Sequence, residues 1–344
     1  MSAALAYRVR IGSQTSGSEV ARSQRALLSL LVRLGMDGAG GVCELQLADP
    51  EAPAPQAGDP LRVELDAGDG LRKVFTGTVD TVRIDTSGQH VTAYDDLHKL
   101  ACLETEASYE NVDVDFVVKD ILQRAGVAAG RISKGFNLPS YVLTRSPGAL
   151  RQVLELADWC GADLFSDSEG KAHFVTAAEP GASHGFDFAT HVLQIEIQAT
   201  PSIHDSVEVF GEGAAGSQGA DKFCWLATDL AGVSGQAAIG PQGAVAVGRT
   251  GKTPRRLTLG VVRSGEVAQH VAEAQMRALA ARWLRGRIEV IGRPGVLPGD
   301  RVRLVGVPLR HAAADLLQGP HSLRVRQVSH VLGRRRGFVT RMEF

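Results

Sequence analysis

The sequence predicts an α+β protein that is mainly β: two similar antiparallel tube-like β-barrels flanking an α/β middle domain. Three observations carry that prediction. Both ends alternate apolar and polar residues with the period of two that half-buried strands require. The middle changes to helical spacing. Short motifs at residues 58, 79 and 91 return, in order, at 299, 325 and 339. The expected boundaries are 1–98 for the first barrel, 99–200 for the middle domain and 201–344 for the second barrel.

The first barrel opens on Leu28, Leu30, Val32 and Leu34, which alternate with more mixed neighbours. Cys43-Glu-Leu-Gln-Leu alternates again before Asp49 and Pro50 break it. Residues 51–60 are rich in Pro, Ala and Gly and read as a loop. Leu61-Arg-Val-Glu-Leu is a clean strand, and Asp69-Gly70 is a hairpin signal. Val74 to Val79, Val82 to Ile84 and Val91 to Tyr94 continue the pattern, with a turn at Ser87-Gly88. Short strands at regular spacing predict a sandwich or small barrel.

In the middle, Val114, Val117, Val118, Ile121, Leu122 and Ala125 fall on one helical face. Asp113 is the expected N-cap and Gly126 the stop. A second helix is expected from Ser146-Pro147, a cap followed by proline in the first turn, to Cys160-Gly161. It carries Leu150, Val153, Leu154 and Ala157. Asp163-Leu-Phe and His173-Phe-Val then form a hairpin closed at Glu169-Gly170.

The last part returns to strands at Val207-Glu-Val-Phe and Leu257-Thr-Leu-Gly-Val-Val. Between them Gly211–Gly251 is glycine-rich with little periodicity and reads as a long insertion. Its composition buries too little to fold alone, so it is expected to order in an assembly, anchored by Phe223, Cys224 and Trp225. A long helix is expected over about 264–285, capped by Ser264, with Val267, Val271, Ala274, Ala278 and Ala281 on one face. Four strand-like segments follow.

Composition excludes several function classes. With 37 basic against 38 acidic residues, the net charge of −1 supplies no global field to grip nucleic acid or an anionic membrane. No apolar run approaches the ~18 residues of a membrane helix, so no membrane insertion by this chain is expected. Met1-Ser-Ala-Ala-Leu lacks the charged start of a signal peptide, so synthesis in the bacterial cytoplasm is the expectation. Cys43, Cys102, Cys160 and Cys224 are too widely spaced for a zinc cluster or a disulfide framework and read as buried thiols.

One motif suggests chemistry. Ala246-Val-Gly-Arg-Thr-Gly-Lys-Thr resembles a phosphate-binding loop, with Ala246 in place of the first glycine. Lys252 would reach the phosphates and Thr253 would hold magnesium. Pro254 and the strand pattern after it remove the helix such a loop needs, so the motif reads as a decoy. The histidines, including His90, His98, His184, His191, His321 and His330, lack metal-ligand spacing. No GxSxG elbow occurs. The carboxylates at Asp95-Asp96 and at Asp113 and Asp115 read as caps or solvated groups, and Arg334-Arg-Arg336 as a hairpin tip. No catalytic, cofactor or metal residue is therefore expected.

The assembled motifs resemble a family. Gly58-Asp-Pro-Leu-Arg-Val, Phe75-Thr-Gly-Thr-Val and Val91-Thr-Ala-Tyr-Asp-Asp-Leu look like the first barrel of phage tail-hub proteins of the late control protein D family. That family is similar to the N-terminal hub region of valine-glycine repeat protein G of type VI secretion and to the hubs of contractile injection systems. Leu150-Arg-Gln-Val-Leu-Glu-Leu-Ala-Asp-Trp-Cys-Gly resembles its middle helix. Gly292-Arg-Pro-Gly-Val-Leu-Pro-Gly-Asp and Leu323-Arg-Val-Arg-Gln-Val-Ser-His-Val resemble its later strands. The resemblance runs from about Val42 to Phe344; no fused spike or lysozyme domain is expected, and Gly211–Gly251 does not align.

The resemblance implies a structural baseplate hub, not an enzyme. Such a hub is a homotrimer whose two barrels per chain make a pseudo-sixfold ring. The ring joins a threefold spike protein to the sixfold tail tube or tube initiator. Other baseplate subunits touch it, and cargo or a tape-measure protein occupies the channel. The alternatives left open are a nucleotide-binding protein on the phosphate-loop motif and a multi-β binding module.

Overall fold

A computed structural model describes residues 6–17, 27–36, 38, 40–48, 53–179, 181–211, 233–240, 244–317, 322–333 and 336–344. The first strands are β1 (Tyr7–Ile11), β2 (Gln14–Gly17), β3 (Leu27–Gly35), β4 (Val42–Leu47), β5 (Pro60–Leu65), β6 (Arg72–Asp85) and β7 (Gly88–Tyr94). Alternation does what period two demands. In β3, Leu30, Val32 and Leu34 are buried while Ser29 and Arg33 face solvent. The two segments expected at 74–79 and 82–84 are one strand, β6, with a bulge between Val79 and Thr81 that bends it.

A capped turn at Asp96–His98 and α1 (Lys99–Cys102) lead to β8 (Ala107–Asp113), α2 (Val114–Arg124), β9 (Ala129–Ile132), β10 (Asn137–Leu143), α3 (Ala149–Cys160), β11 (Ala162–Ser166) and β12 (Ala172–Thr176). Helix α2 fully buries the apolar stripe Val114, Val117, Val118, Ile121 and Leu122. Each such side chain contributes about 1.5–3 kcal/mol over exposure. Asp113 stands at the cap position, but its carboxylate turns to Lys134 and Asn137 instead of the helix. Ser146 does not cap α3, which starts after Gly148. The buried Gln152 donates to the carbonyls of Thr144 and Pro147, and this holds Pro147 in a turn outside the helix. Gly161, at φ +62°, ends α3 in the left-handed conformation.

The remaining elements are β13 (Ser183–Asp187), β14 (Val192–Ala199), β15 (Ser206–Gly211), β16 (Ser234–Ile239), β17 (Val245–Val247), β18 (Pro254–Leu259), α4 (Gly265–Ala281), β19 (Leu284–Ile291), β20 (Arg301–Val305), α5 (Ala314–Leu317), β21 (Leu323–Arg324), β22 (Gln327–Gly333) and β23 (Gly337–Glu343). Ser264 caps α4 as expected, its side chain accepting from the Val267 N–H. The glycine-rich stretch is not aperiodic throughout, because β16 and β17 lie inside it. Gly235 lies so close to the backbone of Ala268 and Gln269 in α4 that a Cβ would sit 2.2 Å from it. The expected anchors Phe223, Cys224 and Trp225 lie outside the described residues.

Strands from both ends form one continuous antiparallel sheet. Its order is β14-β19-β23-β22-β3-β4-β7-β6-β5-β1-β2. The sheet falls into two halves, joined where β22 pairs with β3. One core lies under this sheet and includes Leu30, Val63, Phe75, Phe186, Ile288 and Val328. A second core gathers α2 and α3 with Val207 and Val209 of β15 and Val271 and Met276 of α4. Between them sit a small cluster, Met36, Phe165 and Val175, and polar bridges: Asp163 to Arg324 and Arg326, and Thr76 to the Ser168 carbonyl.

Candidate functional site

The surface that could carry a function is built from two copies of one loop. Gly58-Asp59 precedes β5 and Gly299-Asp300 precedes β20. Both glycines are left-handed, at φ +93° and +90°, where a side chain would be strained. The Gly58 N–H donates to the Val79 carbonyl at 2.8 Å, and the Val79 N–H returns to Asp59 at 2.9 Å. The Gly299 N–H donates to Val325 at 2.8 Å, and Val325 returns to Asp300 at 2.8 Å. Each aspartate also accepts from the backbone three residues earlier, Gln56 at 2.8 Å and Leu297 at 2.9 Å. The same three bonds in both loops make 58/299, 59/300 and 79/325 equivalent.

The third sequence match, 91 with 339, is a correction. Val91 belongs to the core under the sheet, whereas in β23 it is Phe338 and Met342 that do. Val339 points to the other face. Along the ladders, Val82 pairs with Val91 and Val328 with Met342, so Met342 is the counterpart of Val91. The repeat is therefore one five-stranded unit, β3 to β7, matched by β14, β19, β20, β21–β22 and β23.

On the face away from the core, the sheet forms a hollow of about 760 Å3. A single cross-strand row crosses it: Ile291, Val339, Val331, Leu31, Glu44, Thr92 and Thr81. Ile291, Val339, Val331 and, across the junction, Leu31 are apolar, whereas Glu44, Thr92 and Thr81 are polar. Arg83, His90 and Arg336 add basic side chains at its margin, Arg83 and His90 both beside Asp85.

Two buried ionisable groups sit in the support. Burial pushes the Asp95 carboxyl up to about 6, against hydrogen bonds from Ser166 Oγ and the N–H groups of Gly41 and Leu97. Those bonds tie the end of β7 to β11. Burial pushes the His330 imidazole down to about 4; its Nδ1 lies 3.1 Å from Thr340 Oγ1.

No family model and no curated protein matches the sequence. Solved structures do match along the whole chain. A 43 kDa tail protein of prophage MuSo2 from Shewanella oneidensis superposes at TM-score 0.65 with 12% identity, covering 98% of this chain and 97% of that one. A tail protein from Neisseria meningitidis superposes at 0.65 with 14% identity, covering 98% and 95%. An Escherichia coli component of the type VI secretion system superposes at 0.57 with 12% identity, covering 97% and 75%. The chain has the fold of a phage tail protein.

The tail-protein fold places the phosphate-loop residues at the lip of β18. A strand follows Thr253, as the proline required, and the loop's donors are already engaged. The N–H groups of Lys252 and Thr253 both donate to the Asp205 carboxylate at 2.9 Å, and these bonds pull its pKa down to about 2. An internal carboxylate stands where a phosphate would be. Among the described residues no group of three or more His, Cys, Asp or Glu side chains gathers to hold a metal. Cys43 and Cys160 are buried as expected, but Cys102 is exposed. No described helix is long and apolar enough to cross a membrane. Sequence reasoning missed the hollow, because its row joins residues from seven strands.

Proposed function

We propose that the chain is a structural hub subunit of a phage-like tail or contractile injection system. The observation that carries this reading is the duplicated strand unit, fixed by the twin Gly-Asp loops. A chain with two equivalent units has the symmetry an adaptor needs: three copies offer six units around one axis. One rim then meets a sixfold tail tube or tube initiator and the other a threefold spike, with further baseplate subunits outside. The hollow face lines the channel, where cargo or a tape-measure protein passes. The row is mixed polar and apolar and the chain's net charge is −1, so cargo passes without a strong electrostatic grip. The role rests on geometry and needs no bond-making residue.

Light scattering on the purified chain and a reconstruction of the particle test this. The expected results are a mass of three chains and a ring in which both units superpose about a sixfold axis. A particle with another number of copies, or units facing different ways about the axis, overturns the reading.

A further inference from the structure

The repeat makes β22 equivalent to the far half of β6, and β14 equivalent to β3. Within the chain, the edge of β22 is covered by β3 over 327–333. The equivalent edge of β6 is bare. β5 covers β6 only over Arg72–Thr78, and beyond that, among the described residues, β6 pairs with β7 alone. β14, the counterpart of β3, ends the sheet and, among the described residues, pairs with β19 alone. So each chain carries both halves of a junction it makes once internally and leaves open once.

Each open edge leaves a large apolar side chain in water. Ile84 is 53% exposed and Leu193 56%. β14 is eight residues long and carries Leu193, Ile195 and Ile197. Edge strands left to water are short, polar or charged, as is the four-residue β2 at the other end of the sheet.

The geometry points to a seam in which residues 80–85 of β6 pair antiparallel with β14 of a second copy of this chain. It rests on the hub reading above and names the strands that close the ring. The internal junction supplies the register. Val328 lies opposite Leu34 and His330 opposite Val32. Val82 and Ile84 are the counterparts of Val328 and His330. Along the β4 and β19 ladders, Ile197 and Ala199 are the counterparts of Val32 and Leu34. Ile84 therefore faces Ile197 of the next copy, and Val82 faces Ala199. On the hollow face the same register sets Asp85 opposite Glu196 and Arg83 opposite Gln198, with Arg83 and Arg287 each paired to one of the two carboxylates. The contact is heterologous, so it builds a ring rather than a twofold dimer.

Cysteine pairing tests the seam in the full chain, with Cys102→Ser and Cys224→Ser as background. Ile84→Cys with Ile197→Cys is expected to give, on mild oxidation, a covalent ladder ending at three chains. Either cysteine alone is expected to give none. Ile84→Lys is expected to keep the circular dichroism of the wild type and to shift the mass from three chains to one. A dimer from Ile197→Cys alone overturns the seam. A trimer by light scattering that neither cross-links nor responds to Ile84→Lys overturns the seam but leaves the hub reading standing. A ladder ending at another number keeps the seam and overturns the threefold reading. A monomer with no cross-link overturns both.

Discussion

Asp95 and His330 respond to pH with opposite signs. The folded state holds a proton on Asp95 up to about pH 6, whereas an unfolded aspartate loses it near 3.8. This carboxyl therefore adds stability at low pH that is lost as pH rises through 6. His330 stays neutral in the fold down to about pH 4, whereas an unfolded histidine takes a proton near 6.5. Its contribution is complete above 6.5 and declines as pH falls toward 4. Between pH 7.5 and 5 the imidazole loses about 2 kcal/mol while the carboxyl gains about 1 kcal/mol, so the two offset in part. Urea melts of His330→Gln at the two pH values should move toward greater stability at pH 5, relative to wild type. Asp95→Asn should move the other way. Parallel shifts in both variants would contradict the assignment.

The glycines separate two kinds of constraint on the elements. Gly58 has open space around it but a left-handed backbone; Gly235 has ordinary dihedrals but helix α4 against it. Gly58→Ala is expected to cost about 1 kcal/mol through strain. Gly235→Ala is expected to cost about 1–3 kcal/mol by forcing β16 off α4. Thermal melts of the two variants check the order, and equal midpoints would count against it. The same contrast explains what was legible in the sequence. Strands β3 to β7 were readable because one face of each is buried and the other wet. Strand β16 was not, because its glycine is chosen by a helix that is distant in sequence. The start of α3 was misplaced because Gln152, reaching back to Thr144 and Pro147, holds Pro147 in a turn ahead of the helix. The Gly-Asp motifs were legible as a repeat because a left-handed turn admits few residues, whereas the 91/339 match paired valines facing opposite ways.

At the scale of the whole molecule, the two cores meet through ion pairs, single hydrogen bonds and one three-residue cluster. The sheet, in contrast, is one object that spans the chain. That continuity has a consequence for biosynthesis. β3 finds β4 within a few residues, but its other edge waits for β22, some three hundred residues later. At ribosomal speeds of about 5–20 residues per second, that edge stays bare for about 15–60 s. For that interval the nascent chain presents Leu28, Leu30 and Val32 on an uncapped strand, a template for mispairing between neighbouring ribosomes. The junction that unites the two halves therefore cannot form until β22 has been made. A chain cut before residue 322, lacking β21 to β23, is expected in the insoluble fraction while the full chain stays soluble. A soluble truncated chain would mean that another segment shields β3 during synthesis.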